Sequence, residues 1–61
     1  MTDILVVDDE RDIRTLIADI LQDEGHGVRM AAESDAALSE INTAAPDLII
    51  LDIWLKDSRL D

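Results

Sequence analysis

The stretch ILVVDDE, residues 4–10, decides the fold class of this 61-residue chain. Its first four residues form an unbroken apolar run, which is typical of a strand buried on both faces of a parallel sheet. Three acidic residues end that run abruptly. A second unbroken apolar run, LIIL at residues 48–51, is followed by Asp52. The sequence therefore predicts strands at about residues 4–7 and 48–52, each followed or closed by carboxylates.

A helix is predicted directly after the first strand. Apolar residues recur with helical spacing from Ile13 to Leu21, so one face of the helix is apolar. Asp9 is a candidate N-cap, and Gly25 is a natural stop just beyond the last apolar residue. We expect this helix at about residues 10–24.

The middle of the chain predicts one more strand and one more helix. Residues 28–32 are expected to form an edge strand, since Arg29 interrupts the apolar pattern. A helix is expected at about residues 34–45, with Ser34 as its N-cap and Pro46 as its stop. The order β-α-β-α-β predicts an α/β fold with right-handed crossovers and a parallel sheet.

The composition excludes several classes of function. Fifteen acidic residues against five basic ones give a net charge of −10, which repels nucleic-acid backbones and anionic membranes. The absence of cysteine excludes disulfides and thiolate metal sites. No apolar run approaches the roughly 20 residues of a membrane span, and no secretion signal is visible. We therefore expect a cytoplasmic segment that binds neither nucleic acid nor membrane.

Three carboxylates are expected to meet at one edge of the sheet. Open parallel sheets bind ligands beyond the carboxyl ends of their strands, so Asp8, Asp9 and Asp52 converge there if the first and third strands are neighbours. Because like charges repel, a divalent cation would stabilise the cluster. An all-oxygen donor set suits Mg²⁺, or Mn²⁺ in its place. The same residues serve a plain cation site or an aspartate that accepts a phosphoryl group, and the spacing alone does not separate these two readings.

The pairing of ILVVDDE at residues 4–10 with PDLIILD at residues 46–52 resembles the response-regulator receiver family of two-component signalling, over the whole chain. More narrowly, the segment from Asp52 to Asp61 is similar to that of NtrX-type nitrogen-regulation response regulators. The resemblance implies a flavodoxin-like, or CheY-like, fold with strand order 2-1-3-4-5. Residues 1–61 would then be the N-terminal half of a receiver, with order 2-1-3 and without the last two strands.

The resemblance also implies a role for each candidate site residue. Asp52 would accept a phosphoryl group from a sensor histidine kinase. Mg²⁺ would be bound directly by Asp9, largely through water by Asp8, and by the backbone carbonyl of Trp54. The chain would not be an enzyme in its own right, although intact receivers assist their own phosphotransfer and dephosphorylation.

Two further expectations follow from the family. A face of the first helix would dock the kinase, around Arg14, Thr15 and Ala18. The output of the parent protein would be transcription regulation, as in NtrX-type regulators.

The sequence departs from the family pattern in two places. Residues 54–59 lack the short proline-containing loop that follows the acceptor in most receivers. The chain also ends at Asp61, before the Ser or Thr and the Lys that contact the phosphoryl group in the family; Lys56 lies in the wrong loop to replace that lysine. We therefore expect weak Mg²⁺ binding and poor or no phosphorylation.

An alternative function follows from the second departure, the end of the chain at Asp61. If the third strand has a bare apolar edge at residues 48–51, that edge is a template for another chain. Two copies would then form a homodimer with two-fold symmetry. The alternative is thus an inactive half-domain that self-associates as an assembly or folding module.

Duller or different interpretations fit less well. The acidic run at residues 8–10 alone would be a solvated helix N-terminus, His26 a turn residue, and Trp54 a packing residue. A dinucleotide-binding unit needs a glycine-rich turn after the first strand, and none is present. A haloacid-dehalogenase-type phosphatase requires a second acidic residue two positions after its nucleophile, where this chain has Trp54.

Overall fold

The structure is a computed structural model, and it describes residues 2–52. Two helices and a three-stranded parallel sheet alternate along the chain, and the strand order in the sheet is β2-β1-β3. This arrangement confirms the predicted α/β fold class. In chain order the elements are β1 (Asp3–Asp8), α1 (Arg11–Asp23), β2 (Gly27–Ala31), α2 (Ser34–Thr43) and β3 (Leu48–Asp52).

The apolar run of β1 occupies the centre of the sheet. Residues 4–7 are buried, and Leu5 and Val6 have no exposed surface. On one face of the sheet, Leu5 and Val7 pack with two alanines, Ala31 and Ala37. Right-handed crossovers place α1 and α2 on opposite faces, because the chain leaves β1 toward one edge and returns toward the other. A strand covered on both faces must be apolar throughout, which explains the unbroken run.

The third strand is covered far less than the first. β3 pairs with β1 along its whole length, but neither α1 nor α2 packs against it. Leu48 is 51% exposed, Ile49 43% and Leu51 57%. Among the described residues, β3 therefore presents apolar side chains on both faces of the sheet. None of the described helices is long and apolar enough to cross a membrane.

The start of α1 differs from the sequence prediction, whereas its end agrees. Glu10 holds the N-cap position and makes no side-chain capping bond, so the prediction of Asp9 as cap is wrong. The reason is that the carboxylate of Asp8 already accepts the Glu10 N–H, which fixes the start of the helix one residue later. At the other end, Gly25 follows the helix with a φ of 93°, a left-handed conformation that favours glycine.

The bounds of α2 and β2 shift by one or two residues, whereas β3 has the predicted bounds. Glu33, not Ser34, occupies the N-cap position of α2, again without a side-chain bond. The same helix ends at Thr43 instead of residue 45, because the backbone of Ala44 is already extended. β2 begins at Gly27, whose N–H donates to the Thr2 carbonyl at 2.8 Å.

Arg29 ties together three elements at the amino end of the sheet. Its guanidinium donates to both Asp3 carboxylate oxygens, at 2.8 and 3.2 Å, and to the Glu40 carbonyl at 3.0 Å. The hydrogen bond to Asp3 raises the pKa of Arg29 above its ordinary value, with the charges of Asp3 and Glu40 adding to the effect and desolvation opposing it. Because the pKa is raised, this stabilisation is fully present below the ordinary pKa of arginine and is lost only in strongly alkaline solution.

The placement of the core on β1 predicts unequal effects of two identical substitutions. We expect Leu5→Ala to lower the free energy of unfolding by about 2–5 kcal/mol, the usual cost of emptying a buried leucine site. Leu48→Ala makes the same change at a side chain that is 51% exposed, and it should cost less than about 1 kcal/mol. Urea denaturation followed by far-UV circular dichroism measures both. Equal losses would contradict this placement.

Candidate functional site

The carboxyl ends of β1 and β3 lie side by side. Asp8 and Asp52 are paired residues in the register of these two parallel strands, and neighbouring strands are about 4.8 Å apart. The structure thus brings together the two strand ends that the sequence predicted to converge. The side chain of Asp52 and the whole of Trp54 lie outside the described residues.

Asp8 is the buried charged residue of this region. Its side chain is 4% exposed, although carboxylates are rarely buried without a partner. One oxygen, Oδ1, accepts a hydrogen bond from the Glu10 N–H at 2.8 Å. The other, Oδ2, is buried and has no hydrogen-bond partner among the described residues. An unpaired buried carboxylate oxygen costs folding free energy, so its retention calls for a ligand.

Asp9 occupies the turn between β1 and α1. It follows Asp8 directly and is exposed, two residues before the helix begins at Arg11. The N-terminus of a helix carries a partial positive charge that stabilises nearby carboxylates. Asp9 is therefore free to bind a cation in front of the sheet without the desolvation cost that Asp8 bears.

These residues fit a hard divalent cation. Asp8 Oδ2 is a charged oxygen without a protein donor, and Asp9 supplies a second carboxylate one residue away. Oxygen-only ligands of this kind suit Mg²⁺. Among the side chains that the structure describes, no group of three or more His, Asp or Glu is placed to hold a metal ion. The third carboxylate of the predicted set, Asp52, lies outside that description.

Arg14 contributes a contact that the sequence analysis missed. Its Nη1 donates to the backbone carbonyl of Asp8 at 2.9 Å. The sequence assigned Arg14 to a kinase-docking face together with Thr15 and Ala18. The structure leaves Thr15 exposed but buries Ala18 at 3% exposure, so Ala18 faces the sheet and its assignment to that face is wrong. The sequence signal for the burial of Ala18 was its position one turn beyond Arg14 on an amphipathic helix.

Comparison with known families decides the family of the chain. The sequence model of the response regulator receiver domain matches residues 4–59. The chain belongs to the response regulator receiver family. This receiver sequence is also similar to NtrX proteins, as predicted: the nitrogen assimilation regulatory protein NtrX of Azorhizobium caulinodans is 59% identical over 59 residues, 97% of this chain and 13% of that protein. A putative NtrX-like response regulator of Rickettsia bellii is 48% identical over 61 residues, 100% of this chain and 13% of that protein.

A solved structure shows the same fold at high identity. The crystal structure of NtrX from Brucella abortus superposes on this receiver sequence with a TM-score of 0.85 at 63% sequence identity. The match covers 98% of this chain and 13% of that chain. The chain therefore spans only a small part of the length of the relatives it matches.

Asp8 should destabilise the metal-free chain and be required for stabilisation by Mg²⁺. We expect Asp8→Asn to raise the metal-free free energy of unfolding by about 1 kcal/mol, because a neutral amide is cheaper to bury unpaired than a carboxylate. The same change should abolish the stabilisation that Mg²⁺ gives to the unsubstituted chain. Urea denaturation with and without Mg²⁺ measures both quantities.

Asp9→Asn is the matched control for this experiment. Asp9 is exposed, so its substitution should leave the metal-free stability within about 0.5 kcal/mol of the original while also removing the response to Mg²⁺. If Asp8→Asn lowered the metal-free stability instead, Oδ2 would have a partner and the site would not be built for a cation.

Proposed function

We propose that this chain is a phosphoacceptor receiver of a two-component phosphorelay, in which Asp52 takes a phosphoryl group from a sensor histidine kinase. The observation that supports the proposal is the buried, unpaired Oδ2 of Asp8 on the strand whose end is in register with Asp52. Membership of the receiver family supplies the reaction class. The residues that act would be cytoplasmic, where such kinases present their phosphohistidine.

In the proposed reaction, the Asp52 carboxylate attacks the phosphorus atom of phosphohistidine. A bond forms between phosphorus and the aspartate oxygen, the bond between phosphorus and the imidazole nitrogen breaks, and the released imidazole takes a proton from solvent. Attack by a carboxylate on phosphorus is established chemistry for aspartyl-phosphate proteins. Asp8 is buried at the position of β1 that is in register with Asp52, so its carboxylate lies at the same end of the sheet as the proposed acceptor.

Mg²⁺ is the proposed cofactor, with Mn²⁺ as a substitute. Asp8 and Asp9 would hold the ion, with Asp52 and the Trp54 carbonyl as further ligands. Bound there, the ion supplies positive charge that neutralises the transferring phosphoryl group. The requirement is strong in this chain because its net charge of −10 repels a phosphodonor.

The longer relatives suggest the output of the pathway. NtrX of Azorhizobium caulinodans is a nitrogen assimilation regulatory protein by its name. We propose that phosphorylation of Asp52 controls a transcription-regulating output of this kind. The acidic segment itself does not contact nucleic acid in this proposal, because its charge opposes such binding.

Phosphorylation of this chain by acetyl phosphate should be confined to Asp52 and should require Mg²⁺. Lys56 is the one lysine among residues 1–61, and we do not expect it to reach the phosphoryl group, so no second cation would stabilise the transfer. We therefore expect a yield well below one phosphoryl group per chain. Intact-mass spectrometry measures the yield, and peptide mapping after borohydride reduction locates the site.

Two variants make that result specific. Asp52→Asn should give no mass increase, whereas Asp19→Asn, the same change at an exposed position of α1, should leave the yield unchanged. Label that persists in Asp52→Asn would contradict the phosphoacceptor role. Complete phosphorylation would contradict the expected impairment.

The exposed third strand favours a second candidate function, self-association. Leu48, Ile49 and Leu51 are each more than 40% exposed, and neither described helix packs against β3. We propose that two copies pair edge to edge through β3 as a symmetric dimer, because an unpaired apolar edge recruits another strand. In this function the chain is an assembly module and phosphorylation is secondary.

Light scattering tests the dimer at tens of micromolar chain. We expect the mass of two chains, and we expect Ile49→Lys to give a monomer because it buries a charge at the paired edge. Leu38→Lys places the same charge on α2, at a side chain that is 56% exposed, and should leave the dimer intact. A monomeric unsubstituted chain would contradict this function and leave the phosphoacceptor proposal untouched.

A further inference from the structure

Arg14 closes the turn that carries the candidate cation ligands. Three hydrogen bonds connect the end of β1 to the first turns of α1. Asp8 Oδ1 accepts from the Glu10 N–H at 2.8 Å, the Glu10 carbonyl accepts from the Arg14 N–H at 2.9 Å, and the Asp8 carbonyl accepts from Arg14 Nη1 at 2.9 Å. The result is a closed ring of contacts through Asp8, Glu10 and Arg14.

The ring fixes the carboxylate of Asp8 and the backbone of Asp9, the two residues that the cation site needs. Asp8 contributes both its carbonyl and one carboxylate oxygen to the ring, so its second oxygen, Oδ2, has a fixed direction. Asp9 lies between Asp8 and Glu10 in the chain, so the position of its backbone is set by these two residues. Of the three bonds, the one from Arg14 Nη1 is made by a long side chain, and substitution can remove it without changing the backbone.

The positive charge of Arg14, considered alone, would weaken cation binding. A guanidinium next to a divalent cation repels it, so a purely electrostatic view predicts tighter metal binding when Arg14 is removed. A hydrogen-bonded guanidinium that holds the ligands in place predicts weaker binding instead. The two views differ in sign, which makes the role of Arg14 measurable.

We propose that Arg14 is a positioning residue for the cation site: its bond to the Asp8 carbonyl holds Asp8 Oδ2 and Asp9 toward the end of β3. This inference rests on the proposed function, because it takes Asp8 and Asp9 to be cation ligands. Arg14 does not touch the ion or the phosphoryl group. It acts through the backbone of Asp8, as residues outside the ligand set commonly do in metal sites.

Three variants of the whole chain test the proposal. Arg14→Met keeps a long apolar stem on the helix but removes the charge and every donor. Arg14→Lys keeps the charge and a donor that can reach the Asp8 carbonyl. Arg11→Met removes the same charge from an exposed position one turn earlier on α1 and lies outside the ring. All three replacements keep good helix formers, so α1 should persist.

The readout is Mn²⁺ affinity, measured from the electron paramagnetic resonance signal of the free ion and checked by Mg²⁺ competition. We expect Arg14→Met to weaken binding roughly tenfold, Arg14→Lys to restore most of it, and Arg11→Met to leave it unchanged or slightly tighter. Far-UV circular dichroism at the same concentration verifies that each variant is folded. If Arg14→Met is unfolded, Arg14→Gln takes its place, with a shorter neutral side chain.

The outcomes separate this inference from the function on which it rests. An unsubstituted chain that binds no Mn²⁺ would overturn the cation site itself. A chain that binds Mn²⁺, with equal or tighter binding in Arg14→Met, would overturn the positioning role alone. A loss in Arg14→Met that Arg14→Lys does not recover, and that Arg11→Met matches, would show a general effect of substitution on α1 and would also overturn the positioning role.

Discussion

Burial of Asp8 at the end of the central strand is the constraint on which the rest of the structure depends. The apolar run of β1 is covered by α1 on one face and by α2 on the other, so the residue that ends the run is drawn into the same covered layer. Asp8 is therefore 4% exposed with one oxygen unpaired. The buried, unpaired oxygen costs folding free energy, and a cation at the carboxyl edge of the sheet would remove that cost.

Carboxylates are paired at the amino end of the sheet and available at its carboxyl end. At the amino end, Asp3 is paired with Arg29, and its backbone exchanges hydrogen bonds with Asp47 at 2.8 and 2.9 Å. At the carboxyl end, the Arg14 side chain bonds a backbone carbonyl and, among the described residues, neither the Asp8 nor the Asp9 carboxylate. The paired carboxylate thus lies at the amino end of the sheet and the unpaired one at the carboxyl end, where open parallel sheets usually bind ligands.

Much of the fold could be predicted from the sequence because its signals are local. Unbroken apolar runs identified β1 and β3, and the helical spacing from Ile13 to Leu21 identified α1. The start of α1 could not be predicted as well, because it depends on the hydrogen bond that Asp8 accepts from the Glu10 N–H. The exposed fraction of β3 was likewise invisible in its composition, since it depends on which elements pack against the strand.

The candidate site, too, could be predicted from the sequence only in part. Its location followed from topology, because Asp8 and Asp52 end neighbouring parallel strands. The contact of Arg14 with the Asp8 carbonyl did not follow, since it depends on the rotamer of one long side chain across a turn. Local patterns thus indicate where carboxylates gather, whereas the contacts that orient them require three-dimensional structure.

The central claim is that a divalent cation binds at the carboxyl ends of β1 and β3. Paramagnetic broadening of backbone amide resonances by Mn²⁺ at substoichiometric concentration tests it most directly. We predict that the amides of Asp8, Asp9 and Asp52 broaden first, while those of Asp3 and Gly27 at the opposite end of the sheet stay sharp. Broadening spread evenly over the acidic surface, or centred away from Asp8, would contradict the claim.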